Sequence, residues 1–272
     1  MKKYLVFFVI MALLLPGCSF FGGGKKQEPV KPKAQQSELK KEQPKADQKD
    51  YYIGLETPVS GIKDWVYRYQ RYDGVFLQKI GDYRAVLVSM GEKFSPGYGV
   101  TINKIDQKAD KWVIQVSFKQ PKEEDYSGKG VYPHEVASII SDGKPVEVVN
   151  VTGPGNETPV KVIEIPEGKK LGVSKNFVIF TPVEGQKITS PVVVKGKARV
   201  FEANFRITIE DGHYQLAEKI LMADQGAPAW GNFEVNLPFD KPTNPQGFII
   251  LSYENMANGE MIEELLLPVK FY

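Results

Sequence analysis

The stretch Phe205-Arg206-Ile207-Thr208-Ile209-Glu210-Asp211-Gly212 decides the fold of the second half of this chain. Apolar residues at 205, 207 and 209 alternate with polar ones, the period of two that turns one strand face to a core and the other to water. Asp211-Gly212 is a hairpin-turn pair, and Tyr214–Leu221 resumes the strand. Working outward, Phe177–Phe180 runs into Thr181-Pro182, and Val192–Val194 runs into Lys195-Gly196. Downstream, Phe233, Val235 and Leu237 alternate up to Pro238. Phe248–Tyr253 and Ile262–Phe271 flank Asn258-Gly259, a strong short hairpin signal. Seven short strands with turns at this spacing predict an all-β antiparallel sandwich over residues 176–272. The one cysteine of the chain lies at position 18, so no disulfide crosses this sandwich.

Residues 51–151 read differently. Thr57 is placed to cap a helix with Pro58 at its first position, and Ile62, Trp65, Val66 and Tyr69 follow at i, i+3, i+4 and i+7. An aromatic binding face of Trp65, Tyr67, Tyr69 and Tyr72 is the competing reading; helical spacing assigns Trp65 and Tyr69 to a core. The period then becomes two. Val75–Ile80 and Tyr83–Met90 join at Gly81-Asp82, followed by Tyr98, Val100 and Ile102, then by Trp112, Ile114, Val116 and Phe118. Glu135–Ile140 and Val146–Val151 complete an α+β domain, one helix plus an antiparallel sheet. Residues 152–175 read as a linker, with Gly153-Pro154-Gly155-Asn156 and Pro166-Glu167-Gly168 flanking a short strand at Val160–Ile165. That turn-rich joint predicts separable folded segments. Asn150-Val151-Thr152 and Asn156-Glu157-Thr158 match glycosylation acceptors, read here as chance.

The N-terminus carries a different signal. Lys2 and Lys3 precede an uncharged apolar run from Tyr4 to Leu15, closed by Pro16-Gly17-Cys18. This is too short for a ~20-residue membrane span and fits an export signal over residues 1–17. Residues 18–50 read as a flexible tether. From Gly22 to Asp50 there are eight Lys and five acidic residues and no aromatic one. Such a composition buries too little apolar surface to order, and as a coil it reaches roughly 30 Å. The whole chain carries +2. Without Lys2, Lys3 and the tether's +3, the remainder carries −3, which disfavours a nucleic-acid partner.

Three stretches resemble known families. Leu15-Pro16-Gly17-Cys18 resembles the lipobox of bacterial lipoproteins. The resemblance implies cleavage between Gly17 and Cys18, acylation (palmitate) of Cys18, and anchoring at the extracytoplasmic face of the cell membrane. Gly91-Glu92-Lys93-Phe94-Ser95-Pro96-Gly97-Tyr98-Gly99-Val100, Val116-Ser117-Phe118-Lys119-Gln120-Pro121 and Tyr132-Pro133-His134-Glu135-Val136 resemble the C-terminal domain of the protease-complex subunit PrcB. Pro182, Gly185, Ser190-Pro191-Val192, Lys195-Gly196-Lys197-Ala198, Phe201-Glu202-Ala203-Asn204 and Trp230-Gly231-Asn232-Phe233 look like the immunoglobulin-like domain of bacterial spore-germination proteins. These two resemblances imply accessory, non-catalytic modules of the cell envelope.

The chemistry-bearing residues agree with that expectation. His134 and His213 are the only imidazoles. They fall in different expected domains, which disfavours a shared triad or metal site. Glu123-Glu124-Asp125 lacks the alternating ligands of a calcium loop. There is no phosphate-binding glycine loop and no Gly-x-Ser-x-Gly turn. Glu202 and Asn204 read either as a binding edge or as satisfiers of backbone at a strand crossing, and Trp230 either as an exposed anchor or, as aromatic residues in such loops more often are, as a plug at the sandwich end. No enzyme activity, cofactor, metal or catalytic residue is expected. The expected role is a binding or scaffold module holding an envelope protein partner, in a sporulation or germination setting. The alternative is an accessory or regulatory subunit of an exported protease complex.

Overall fold

The structure, a computed structural model, describes residues 49–122, 128–153, 155 and 157–272. The signal at 1–17, Gly17, Cys18, most of the tether, the Glu123-Glu124-Asp125 cluster and Asn156 lie outside the described residues. Residues Asp47–Tyr272 form one compact unit.

Strand β1 (Tyr51–Ile53) precedes helix α1 (Ile62–Tyr69). The helix buries Ile62, Trp65, Val66 and Tyr69, the stripe that its 3.6-residue period predicts. Its start is a correction to the sequence reading. Gly61, in the left-handed region at φ 75°, is the N-cap, with no side-chain cap. The Thr57 hydroxyl accepts the Val59 N–H at 3.3 Å, a local turn that holds Pro58 outside the helix.

Then follow β2 (Asp73–Ile80), β3 (Tyr83–Met90), β4 (Gly99–Gln107), β5 (Trp112–Lys119), β6 (His134–Ile140) and β7 (Val146–Asn150). Residues 152–175 are not bare connection: they supply β8 (Thr158–Val160), β9 (Val162–Ile165) and β10 (Gly172–Val173). The first region therefore has two sheets, ordered β1-β6-β3-β2-β9 and β4-β5-β7-β8. Most neighbours are antiparallel, but β2–β9 and β5–β7 are parallel. Periodicity marks each strand's buried face but not its partner, so these parallel closures are products of the tertiary fold. Between the two sheets lie Val75, Val86, Val88, Trp112, Ile114, Val116 and Ile139. Strand β3 is buried on both faces, because Ala85 and Leu87 point the other way, to α1.

The second region comprises β11 (Phe177–Thr181), β12 (Val192–Ala198), β13 (Asn204–Glu210), β14 (Gln215–Met222), β15 (Gly231–Leu237), β16 (Gln246–Asn255) and β17 (Glu260–Lys270). Sheet β10-β11-β12-β15 faces sheet β14-β13-β16-β17. Phe177, Ile179, Val194, Phe205, Ile207, Phe233, Val235, Leu251 and Leu267 fill the space between them. The opening stretch behaves as its alternation requires: Phe205, Ile207 and Ile209 are buried in this core. The α+β region is thus followed by an all-β sandwich of immunoglobulin-like layering.

Candidate functional site

The feature that organises the molecule is the seam between its two regions. Strand β11 has two buried faces. Phe177 and Ile179 enter the sandwich core, whereas Val178 enters a second core with Val183, Leu171, Ile165 and the inner stripe of α1, and Phe180 packs against it. Next to it on β12, Gly196 lets the backbones approach closely. A Cβ there would stand 2.2 Å from the Val178 carbonyl oxygen and 2.7 Å from the Phe233 ring. Its neighbour Lys197 reaches across the seam to ion-pair with Asp73 at the start of β2.

Two residues further, Arg199 pairs with Glu92 of the first region, and both side chains are nearly buried. The Arg199 guanidinium also lies 5.0 Å over the Trp230 ring. Trp230 in turn meets Tyr72 edge to face, with centroids 5.2 Å apart. The Tyr72 hydroxyl donates to the Ser174 carbonyl at 2.7 Å. Gln78 fastens the same seam from beneath. Its Oε1 accepts the Trp65 indole N–H at 2.7 Å, and its Nε2 donates to the carbonyls of Pro166 (2.9 Å) and Lys169 (2.7 Å).

The electrostatics follow from burial and pairing. Burial disfavours the Glu92 carboxylate, but the Arg199 hydrogen bond and charge and the Tyr132 hydroxyl outweigh it, so its pKa is lowered. Burial likewise disfavours the charged Arg71, yet its bond to Tyr132 holds it cationic. Burial raises the Tyr72 phenol, keeping it a neutral donor. Two buried polar atoms here, Asp73 Oδ1 and Trp230 Nε1, have no hydrogen-bond partner. Two open grooves flank the seam. One, of about 460 Å³, is bordered by Asp73, Lys93, Tyr98, Lys197, Trp230 and Asn232. The other, of about 660 Å³, runs between α1 and the turn after β10.

The residues singled out in the sequence are distributed rather than gathered. Trp65, Tyr69 and Tyr72 are core, and Tyr67 is 77% exposed. His134 Nδ1 lies 2.6 Å from the Tyr132 carbonyl oxygen, while His213 sits in the β13–β14 turn beside Asn244. The structure does not bring the two imidazoles together. Among the described residues, no group of three His, Cys, Asp or Glu side chains is placed to hold a metal. Glu202 and Ala203 both have positive φ, 50° and 60°, in the short helical turn before β13. The crossing there is satisfied main chain to main chain, with Ala203 N–H on Val200 O and Ala223 N–H on Ala203 O. Trp230 is a correction: it plugs the seam against Tyr72, not the sandwich end alone.

Sequence reasoning did not single out Gln78 or Arg199, read Glu92 only within a family-like stretch, and read Asp211 only as a hairpin-turn residue. Asp211 accepts the N–H groups of His213, Tyr214, Thr243 and Asn244 and the Thr243 hydroxyl. Burial opposes its ionisation, but these bonds hold its pKa far below the usual carboxylate range. For the seam residues the available signal was cationic side chains alternating along an otherwise apolar strand, Lys195-Gly196-Lys197-Ala198-Arg199.

Comparison with known proteins places two domain families on this frame. Residues 176–260 match the immunoglobulin-like domain of bacterial spore germination, and residues 84–140 match the PrcB C-terminal family. No curated protein and no solved structure matches the chain. Among the described residues, no helix is long and apolar enough to cross a membrane.

Proposed function

We propose that this chain is a surface lipoprotein whose folded part is a non-catalytic binding platform for another protein of the cell envelope. In this reading Cys18 carries the acyl chains, and two or more chains supply the stable anchoring that one does not. Residues 19–50 are the tether, and the unit beyond them is displayed at the outer face of the cytoplasmic membrane. The observation that carries the reading is the seam. A segment matching a germination-type immunoglobulin-like domain and a segment matching the PrcB C-terminal family share one core and the Arg199–Glu92 ion pair, and Lys197–Asp73 adds a second pair just ahead of the latter segment. They therefore present a joint surface to a partner rather than two independent ones. The match of residues 176–260 supports a partner in sporulation or germination. The second reading, a subunit that supports or restrains an exported peptidase, draws on the match of residues 84–140.

The test is affinity capture of the full chain from native membranes, with Cys18→Ser alongside. Wild type is expected in the membrane fraction with at least one stoichiometric envelope protein, and Cys18→Ser is expected to lose fatty-acid label and membrane retention. A peptidase as the captured protein selects the second reading. Capture of nothing above a mock sample, or peptide or glycan hydrolysis that survives repurification, overturns the platform reading.

A further inference from the structure

The larger groove beside the seam has a composition of its own. Asp64, Tyr67 and Arg68 follow at i, i+3 and i+4, so they form the outer stripe of α1, opposite the buried one. Arg71 lies one turn on, just past the helix end. Tyr132 from one side and Lys175, in the turn between β10 and β11, from the other complete the walls. Three cations face one carboxylate, a local excess of +2 on a folded part whose formal charge is −3.

Among the described residues, two neighbouring acids are already engaged. Glu92 is paired with Arg199 and accepts the Tyr132 hydroxyl at 3.1 Å. Glu264 accepts from Ser174 and Asn176 at 2.6–2.7 Å. Among the described residues, no ion pair involves Arg68, Arg71 or Lys175. Arg71 is instead held in place 5.9 Å over the Tyr132 ring. Tyr67 stands at the rim with most of its ring in solvent.

We propose that this groove docks an acidic peptide segment of a partner protein, with carboxylates on Arg68, Arg71 and Lys175 and apolar stems against Tyr67. The proposal rests on the platform reading above and names the chemistry of the partner. Two observations favour a peptide over a compact phosphate. The groove measures about 660 Å³, within the ~300–1,000 Å³ typical of ligands much larger than one anion. Its walls combine Tyr and Arg, the residue types most enriched where proteins bind proteins.

The probe is a fluorescein-labelled hexapeptide alternating glutamate with tyrosine, titrated into the full chain and read by anisotropy. Binding is expected, and it should weaken as salt shortens the screening length. Arg68→Gln and Tyr67→Ala change exposed side chains, so the fold survives. Each is expected to weaken binding by about tenfold. Lys241→Gln, a cation outside the groove, should leave it unchanged. No binding at millimolar peptide, affinity undiminished in both groove variants, or displacement by equimolar inorganic phosphate overturns the proposal. The capture experiment distinguishes the two claims: a partner still retained by Arg68→Gln defeats the groove and leaves the platform standing.

Discussion

Gln78 is a buried polar residue in an apolar strand, and its three hydrogen bonds explain why it is tolerated. It ties α1, β2 and the 166–169 turn together. Removing it strands an indole N–H and two carbonyls, each costing about 1–3 kcal/mol if water cannot replace the partner. Gln78→Ala is therefore expected to lower unfolding free energy by at least about 2 kcal/mol in urea titration. A loss below about 0.5 kcal/mol would mean that water takes over all three bonds. Nothing in the local sequence distinguishes this glutamine from one on a solvent face. The sequence did mark Trp65 and Tyr69 as buried, because helical periodicity is written in neighbouring positions. It misplaced the helix start, since Gly61 in the left-handed region competes with Thr57 and Pro58 as a boundary and wins.

At the scale of elements, β11 is the decisive strand. Alternation along Phe177-Val178-Ile179-Phe180 is normally read as one buried and one wet face, but all four residues are apolar, and here the 178 side of the strand lies against a second core. A charge at 178 is accordingly expected to damage both regions together. Val178→Asp should cost about 3 kcal/mol or more and lower the urea midpoint seen by both tryptophan fluorescence and far-UV circular dichroism. Ile220→Asp, on the exposed face of β14, should leave both midpoints nearly unchanged. If Val178→Asp behaves like Ile220→Asp, then the 178 side of β11 is not a core face. In residues 152–175 the sequence showed one strand, at 160–165, where the structure has β8 and β9, and it concealed β10, because short strands carry too few residues to show a period.

For the whole molecule, the shared core and the Lys197–Asp73 and Arg199–Glu92 pairs predict a single cooperative unfolding transition near neutral pH. The acid limb of its stability has a definite sign. The folded-state pKa of Glu92 is below its ordinary value of 4.5, so its ionised pairing stabilises fully above that value. That contribution is lost as pH falls through the lower folded-state value. Glu92→Gln, which leaves Arg199 without its carboxylate, is expected to cost about 3 kcal/mol at pH 7. The gap between its melting temperature and that of wild type should close as pH drops below 4. Two separate calorimetric transitions, or a gap that widens in acid, would contradict this account of the seam.

What the sequence alone determined is what is encoded in neighbouring positions. The strand alternation at 205–209, the hairpin at Asp211-Gly212, the buried stripe of α1 and the order of the two matched domains all follow from local period and turn chemistry. The expectations for Cys18 and the tether also rest on the sequence, and they lie outside the described residues. Tertiary structure decided which strands became partners, including the parallel β2–β9 and β5–β7 closures, and which apolar face met which. It also decided that Lys197, Arg199, Glu92 and Trp230, spread over some 140 positions, would converge on one seam. The reason is physical: periodicity records how a residue faces its own element, whereas pairing across a seam depends on burial and charge between residues far apart in the chain.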